Sequence, residues 1–310
     1  MEVKYKNFSS KRCFGVEFEF SELDFDQYCV SRVIKEQDPL HSVSLTGYSL
    51  SDGSCWHIKT DSTCGWEVAS YKGSGIDDIN CISNCIEAVG KSGVIIDWNC
   101  GLHVHIDVSD CSKEDVAKIV AQWFRIEPVM FYSVPEHRRS NIYCKTVRSS
   151  YRKFNKKWTA VEFYDKIKPY HYNSRKRRRV SLNICNFEKS LRNSNNDRKT
   201  LEFRFPEMSV SSIDIKNWIK LFILFVENSK NMEMPDDLNP VDVYESLKIL
   251  DLCSCNGSIV LSTGLFNVKN WFLTRMLQNA INIKFCNEAI TILNQMWMPF
   301  RNYYLPKLLA

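Results

Sequence analysis

Cys100-Gly101-Leu102-His103-Val104-His105-Ile106-Asp107-Val108 alternates apolar side chains with a glycine, two histidines and an aspartate. Period two is the pattern of a half-buried strand: Leu102, Val104, Ile106 and Val108 face a core, and both imidazoles share the opposite face. Two imidazoles on one face can reach one ligand. Taken alone, they read at least as well as a pair satisfied by neighbouring side chains.

The same pattern recurs with acidic residues. In Cys13-Phe14-Gly15-Val16-Glu17-Phe18-Glu19-Phe20 the large apolar residues take one face, and Glu17 and Glu19 take the other. In Thr200-Leu201-Glu202-Phe203-Arg204-Phe205, Glu202 and Arg204 oppose Leu201, Phe203 and Phe205. If these strands join in one sheet, its polar face gathers carboxylates, imidazoles and a guanidinium. Such a face repels itself unless cations neutralise it, and an oxygen-rich site suits magnesium or manganese better than zinc.

The composition sets broad limits. The chain has 310 residues, is 44% hydrophobic and 25% charged, and carries a formal net charge of +5. That is ordinary for a globular protein with a full core, and too mild a charge to argue for nucleic acid by itself. No run reaches membrane-spanning length; Trp218 to Val226 is short and interrupted by Lys220. The 13 cysteines show no Cys-x-x-Cys spacing, and Cys81 with Cys85 and Cys253 with Cys255 are the close sets. The N-terminal stretch lacks the apolar run of a signal peptide. The expectation is therefore a cytoplasmic protein with reduced thiols and no structural zinc.

The remaining segments fill in an α+β chain. A helix is predicted from about Asp24 to Gln37, ended by Pro39, and 40–55 reads as loop. Two strands follow, 56–63 and 64–70, turning at Asp61 to Gly65, with Glu67 on the polar side. Ile76, Ile79, Ile82, Ile86 and Val89 mark a helix. Gly90-Lys91-Ser92 is a false phosphate loop, because the earlier glycine is missing. Ser112 and Asp115 form a capping-box pattern opening a helix through Phe124, with a break or kink predicted at Glu127-Pro128. Residues 135–180 are basic and aromatic, including Arg138, Arg139, Arg148 and the run Arg175 to Arg179. An alternating strand over 180–185 would put Arg179, Ser181 and Asn183 on one face. A polar turn at 188–199 would join it as a hairpin to the Glu202/Arg204 strand. From Ser211 onward the pattern is helical. Two parts are expected: a sheet domain over 1–210 and a helical C-terminal part over 211–310 packed on it.

These motifs resemble a known family. Glu202-Phe203-Arg204-Phe205-Pro206-Glu207, Gly101-Leu102-His103-Val104-His105 and Glu17-Phe18-Glu19 resemble segments of glutamine synthetase, in the same order. The overall pattern is similar, and closer still, to the amidoligases of the carboxylate–amine ligase superfamily. In the middle element, Asp61-Ser62-Thr63 and Glu67-Val68-Ala69-Ser70, the Asp-x-Ser part is shifted. The resemblance implies a glutamine synthetase-like catalytic fold: a curved, mainly antiparallel sheet with outer helices, binding ATP and Mg2+ (or Mn2+) on its concave face. It implies that Glu17, Glu19, Glu67, His103 and Glu202 hold the metals. Arg204 would stabilise the transferred phosphoryl group, with His103 on the metal or phosphate side. Arg179 would contact phosphate, and His105 and Asn183 would support the nucleotide. The implied reaction joins a small-molecule or peptide carboxylate to an amine through an acyl phosphate.

Other classes stay open at this point. The guanidino kinases share the implied fold and would phosphorylate an acceptor without forming an amide. A non-enzymatic module could hold nucleic acid through 135–180, by phosphate contacts and stacking. A two-histidine, one-carboxylate zinc hydrolase fits less well, given the surplus of carboxylates and the arginine.

Overall fold

A computed structural model describes residues 8–23, 26–45, 53–150, 157–168, 178–193, 198–252, 263–279 and 287–292. The predicted strands form the middle of a mostly antiparallel, open sheet. They are β1 (Cys13–Phe20), β4 (Trp56–Asp61), β5 (Gly65–Ala69), β8 (Leu102–Asp107) and β10 (Thr200–Phe203). Short strands complete it: β3 (Val43–Ser44) and β9 (Leu182–Asn183) lie at the two ends, and β6 (Gly73–Ser74) pairs with β1. The order is β3-β4-β5-β1-β8-β10-β9, with β3 parallel to β4 and every other pairing antiparallel. A separate ribbon joins β2 (Glu22–Leu23) to β7 (Val94–Ile95).

Alternation assigns the two faces as the sequence suggests. Phe14, Val16, Phe18, Leu102, Val104, Ile106, Leu201 and Phe203 are buried. Helices cover this apolar side: α1 (Gln27–Gln37), α2 (Gly75–Lys91), α3 (Lys113–Phe131) and α8 (Ser212–Asn231), the last numbered after the shorter helices described below. Phe203 stacks on Phe222 of α8 with centroids 4.2 Å apart, and Trp123 of α3 meets both Phe203 and Phe225 edge-on. Burying such rings stabilises the layer by roughly 1.5–3 kcal/mol each. The first helical run after residue 210 is thus seated directly on the sheet.

The helix starts follow from capping. Asp26 accepts from the Cys29 N–H, and Ser112 and Asp115 form a reciprocal capping box. Gly90 and Lys91 are the last residues of α2, and the Ser92 N–H returns to the Val89 carbonyl, so this stretch is a helix end. Two expectations are corrected locally. There is no break at Glu127-Pro128: helix α3 runs through Pro128 to Phe131. Proline leaves the carbonyl four residues back, Phe124, without its helical donor, and Arg148 Nε supplies one at 3.0 Å. The buried Glu127 accepts the Val147 and Arg148 N–H groups, binding the following loop to the helix.

The second failure is the hairpin arm at 180–185. Only Leu182 and Asn183 pair with β10, and a helix occupies Cys185–Arg192 where a polar turn was predicted. Phe187 is buried in the core and Tyr164 Oη donates to Glu188 at 2.5 Å. Those tertiary contacts favour helix over a composition that reads as turn. Ser181 does not share the face of Asn183: it accepts from Trp123 Nε1 and donates to Glu127 inside the core. The short helices between α3 and α8 are α4 (Glu136–Arg139), α5 (Val147–Ser150), α6 (Ala160–Ile167) and α7 (Cys185–Arg192). Among the described residues α9 (Val243–Ile249) and α10 (Thr263–Gln278) follow α8, and 287–292 is helical as well. Of the last two predicted helical patterns, the second is described only over 287–292, and 297–305 lies outside the described residues.

Candidate active site

The polar face of the sheet is organised by register. Glu17 on β1 stands opposite His103 on β8, and His105 stands opposite Glu202 on β10. Glu202 in turn faces Asn183 on β9, and Glu19 faces Glu67 on β5. Five strands, drawn from residues 13 to 203, therefore deliver their polar residues to one face.

At its centre, ligand atoms of Glu17, His103 and Glu202 all lie within 4.8 Å of one another. His103 Nδ1 is 3.2 Å from Glu17 and 3.8 Å from Glu202, while its Nε2 is 3.5 Å from Glu19. His105 Nε2 lies 3.3 Å from the other Glu17 oxygen, close enough to pair electrostatically but not aligned as a hydrogen bond. Arg204 pairs with one oxygen of Glu202, and Asn183 Nδ2 donates to the other at 2.6 Å. Glu19 accepts the Gly101 N–H at 2.7 Å.

The electrostatics follow from this crowding. Burial would raise the carboxyl of Glu17, but the facing imidazoles of His105 and His103 outweigh it and hold it well below the usual range. Burial likewise opposes the charged form of Glu202, and Arg204 overcomes it, so that carboxyl is also lowered. His105 is raised: desolvation works against its charge, and Glu17 and Glu202 win. Arg204, desolvated but surrounded by Glu202, Glu19 and Glu17, is held more firmly protonated than usual.

Glu67 sits apart from the central trio. It pairs with Lys59 Nζ at 2.6 Å, and burial together with Glu17 pushes its carboxyl up to about 8. Arg179 also lies outside the cluster. Its guanidinium stacks over Tyr143, with 4.5 Å to the ring centroid, and the Tyr143 carbonyl lies 3.5 Å from Arg204 Nε. Asp61 accepts the Thr63 N–H and hydroxyl and serves the β4–β5 turn.

Sequence reasoning missed the residue that locks this patch. Arg138 is buried and donates only to main-chain carbonyls: Arg204 at 2.8 Å, Phe205 and Pro206 at 3.2 Å and Asn99 at 3.3 Å. It clamps the end of β10 to the loop entering β8. This explains Gly101: a Cβ there would lie 2.3 Å from Arg138 Nη2 and 3.1 Å from His103 Nε2. No local pattern marks Arg138, which reads as one of many basic residues in 135–180. Arg139 and Arg148 likewise turn inward, donating to the carbonyls of Phe131 and Phe124. Of the remaining basic segment, residues 151–156 and 169–177, including Arg175 to Arg177, lie outside the described residues. Glu207, at the end of the Glu-x-Arg motif, pairs with Arg275 of α10 and so holds a helix rather than the patch.

A family model described as "putative amidoligase enzyme" matches residues 10–226. The chain belongs to this amidoligase family. The matched span includes every residue of the patch and continues into α8, so the amidoligase unit includes the helix on which Phe203 stacks. No curated protein matches the chain. The family description places the amidoligase chain among ligase-like enzymes. Its candidate chemistry lies on the polar sheet face, and no helix among the described residues is long and apolar enough to cross a membrane.

Two features of the patch suit divalent cations. Two carboxylates and an imidazole form a donor set for hard or borderline metals, and the Glu17–His103–Glu202 spacing needs only small side-chain adjustments to converge on one ion. Beside them Gly15, opposite His105, leaves open volume: a Cβ there would meet nothing within 4 Å.

Proposed function

We propose that the chain is an ATP-dependent carboxylate–amine ligase, forming an amide through an acyl phosphate on a glutamine synthetase-like sheet. The observation that carries the reading is the convergence of Glu17, His103 and Glu202 beside Arg204. Carboxylates activate poorly because oxide is a poor leaving group, and phosphorylation supplies a good one. Divalent cations held by Glu17, His103 and Glu202 would neutralise charge on the phosphates.

On this reading Glu17, Glu202 and His103 hold the metal, and Glu19 assists through its contact with His103. Arg204 pairs with Glu202, and its guanidinium would place a positive charge beside the transferring phosphoryl group. Asn183 and the main-chain contacts of Arg138 keep Glu202 and Arg204 in place. Arg179, stacked beside the Arg204 loop, is proposed to guide the nucleotide phosphates. The open space over Gly15 is proposed to admit substrate. The inward turn of Arg138, Arg139 and Arg148 leaves the nucleic-acid reading fewer cations to work with.

The test is calorimetric titration of a non-hydrolysable ATP analogue with and without magnesium, on the wild type and on Glu202→Gln. Magnesium-dependent binding that the variant loses is the expected result. Binding that ignores both magnesium and the substitution would remove the proposal. A subsequent screen of carboxylates and amines separates the chemistries: a ligase yields amide and phosphate, a kinase a phosphorylated acceptor.

A further inference from the structure

On the opposite, helical side of the sheet a second group of donors converges. Cys81 and Cys85 are one helical turn apart on α2 and share a face. Asp38, at the C-terminal end of α1, meets them, and the Asp38 oxygen and both sulfurs lie within 4.8 Å of one another. Asp38 and Cys85 are buried, and Cys81 is partly exposed. This side is distinct from the active-site patch. Trp56, which donates to Asp38 at 2.9 Å, alternates on β4 with Lys59, the partner of Glu67.

We propose that Asp38, Cys81 and Cys85 bind a thiophilic divalent cation, zinc by preference, with water or a further ligand entering from the partly exposed side of Cys81. Sulfur donors select zinc over magnesium or calcium. In a tetrahedral site with Zn–S near 2.3 Å and Zn–O near 2.0 Å, ligand atoms are separated by roughly 3.5–3.8 Å. The three ligand atoms therefore need to close by no more than about 1.3 Å, within reach of side-chain adjustment.

The surroundings are those of a supported ligand. Asp38 accepts from Trp56 Nε1 at 2.9 Å, and His41 Nδ1 lies 3.0 and 2.9 Å from its two oxygens, which keep further lone pairs. His41 is itself fixed by stacking on Tyr71, with centroids 3.5 Å apart. The ion would tie the end of α1 to α2 and, through Trp56, to β4. Its role is to brace the helical layer, and it takes no part in chemistry on the other face.

The experiment uses the full chain, stripped with a chelator and reloaded with zinc or cobalt. The wild type should retain one zinc per chain more than Cys81→Ser, whatever the polar-face site holds, and cobalt should give a thiolate charge-transfer band. Cys81→Ser and Cys85→Ser should each weaken binding at least about 100-fold, beyond the usual outer-shell effect. Cys29→Ser, a partly exposed thiol on α1, should leave it unchanged. Should the serine variants misfold, alkylation of the wild type still decides: zinc should slow iodoacetamide modification of Cys81 at least tenfold and leave Cys29 unaffected. Equal zinc content in wild type and serine variants, or alkylation of Cys81 that is indifferent to zinc, would overturn the proposal. Neither readout depends on nucleotide binding or ligase activity.

Discussion

Glu202→Gln removes one charge from the centre of the patch and keeps the shape of the side chain. In the wild type the carboxylate is 3% exposed and accepts from both Arg204 and Asn183. The amide of glutamine offers one oxygen for two donors, so either Arg204 or the buried Asn183 loses its acceptor. A hydrogen bond to a charged group contributes about 1.5–3 kcal/mol. Relief of repulsion with Glu17 returns part of that, so the expected loss is about 2 kcal/mol at pH 7. The pH dependence has a definite sign. Glu202 is lowered on folding from an ordinary value of 4.5. Its contribution is therefore complete above about 4.5 and is lost as the pH falls through the folded value. Urea unfolding followed by tryptophan fluorescence should show the gap at pH 7 and its shrinkage on acidification. Manganese at about 100 times its dissociation constant should add about 2.7 kcal/mol to the wild type and much less to the variant. A gap under about 0.5 kcal/mol at pH 7 would refute the description of Glu202 as the shared acceptor. So would a gap that widens in acid, and equal stabilisation by manganese would remove Glu202 from the metal site.

Gly101→Ala forces a methyl group against Arg138, which is anchored on carbonyls and cannot retreat; a loss of about 2–3 kcal/mol in chemical denaturation is expected, together with weaker manganese binding. A wild-type unfolding midpoint would show that the clamp is looser than described. Glu67, with its carboxyl near 8, keeps a proton in the folded chain that the unfolded chain releases near 4.5. The wild type should therefore lose stability as pH rises from about 4.5 to about 8, and Glu67→Gln should flatten that slope. Parallel stability–pH curves for the two proteins would count against a protonated Glu67.

The strands around Glu17, His103 and Glu202 were legible because alternation is a local property. A period of two assigns each side chain to a face before any pairing is known. The same holds for the capped start at Ser112. The segment after Val180 was misread because its polar composition resembles a turn, whereas burial of Phe187 and the Tyr164–Glu188 contact hold it as helix. The run through Pro128 was hidden for a similar reason, since the donor that replaces its missing N–H comes from Arg148.

The sequence by itself determined which residues of β1, β8 and β10 share the polar face, and its ordered motifs pointed to the amidoligase family. Only the tertiary structure decided which of them meet. The order β5-β1-β8-β10 and its register bring Glu17 to His103 across 86 residues, pair Glu67 with Lys59, and leave Arg179 at the edge over Tyr143. It also buries Arg138 under the end of β10 and gathers Asp38 with Cys81 and Cys85. The physical reason is range. Side-chain direction follows from the chirality and pleat of a single strand, while convergence of charges depends on strand order and on burial. Those are set by how the whole apolar face packs beneath its helices.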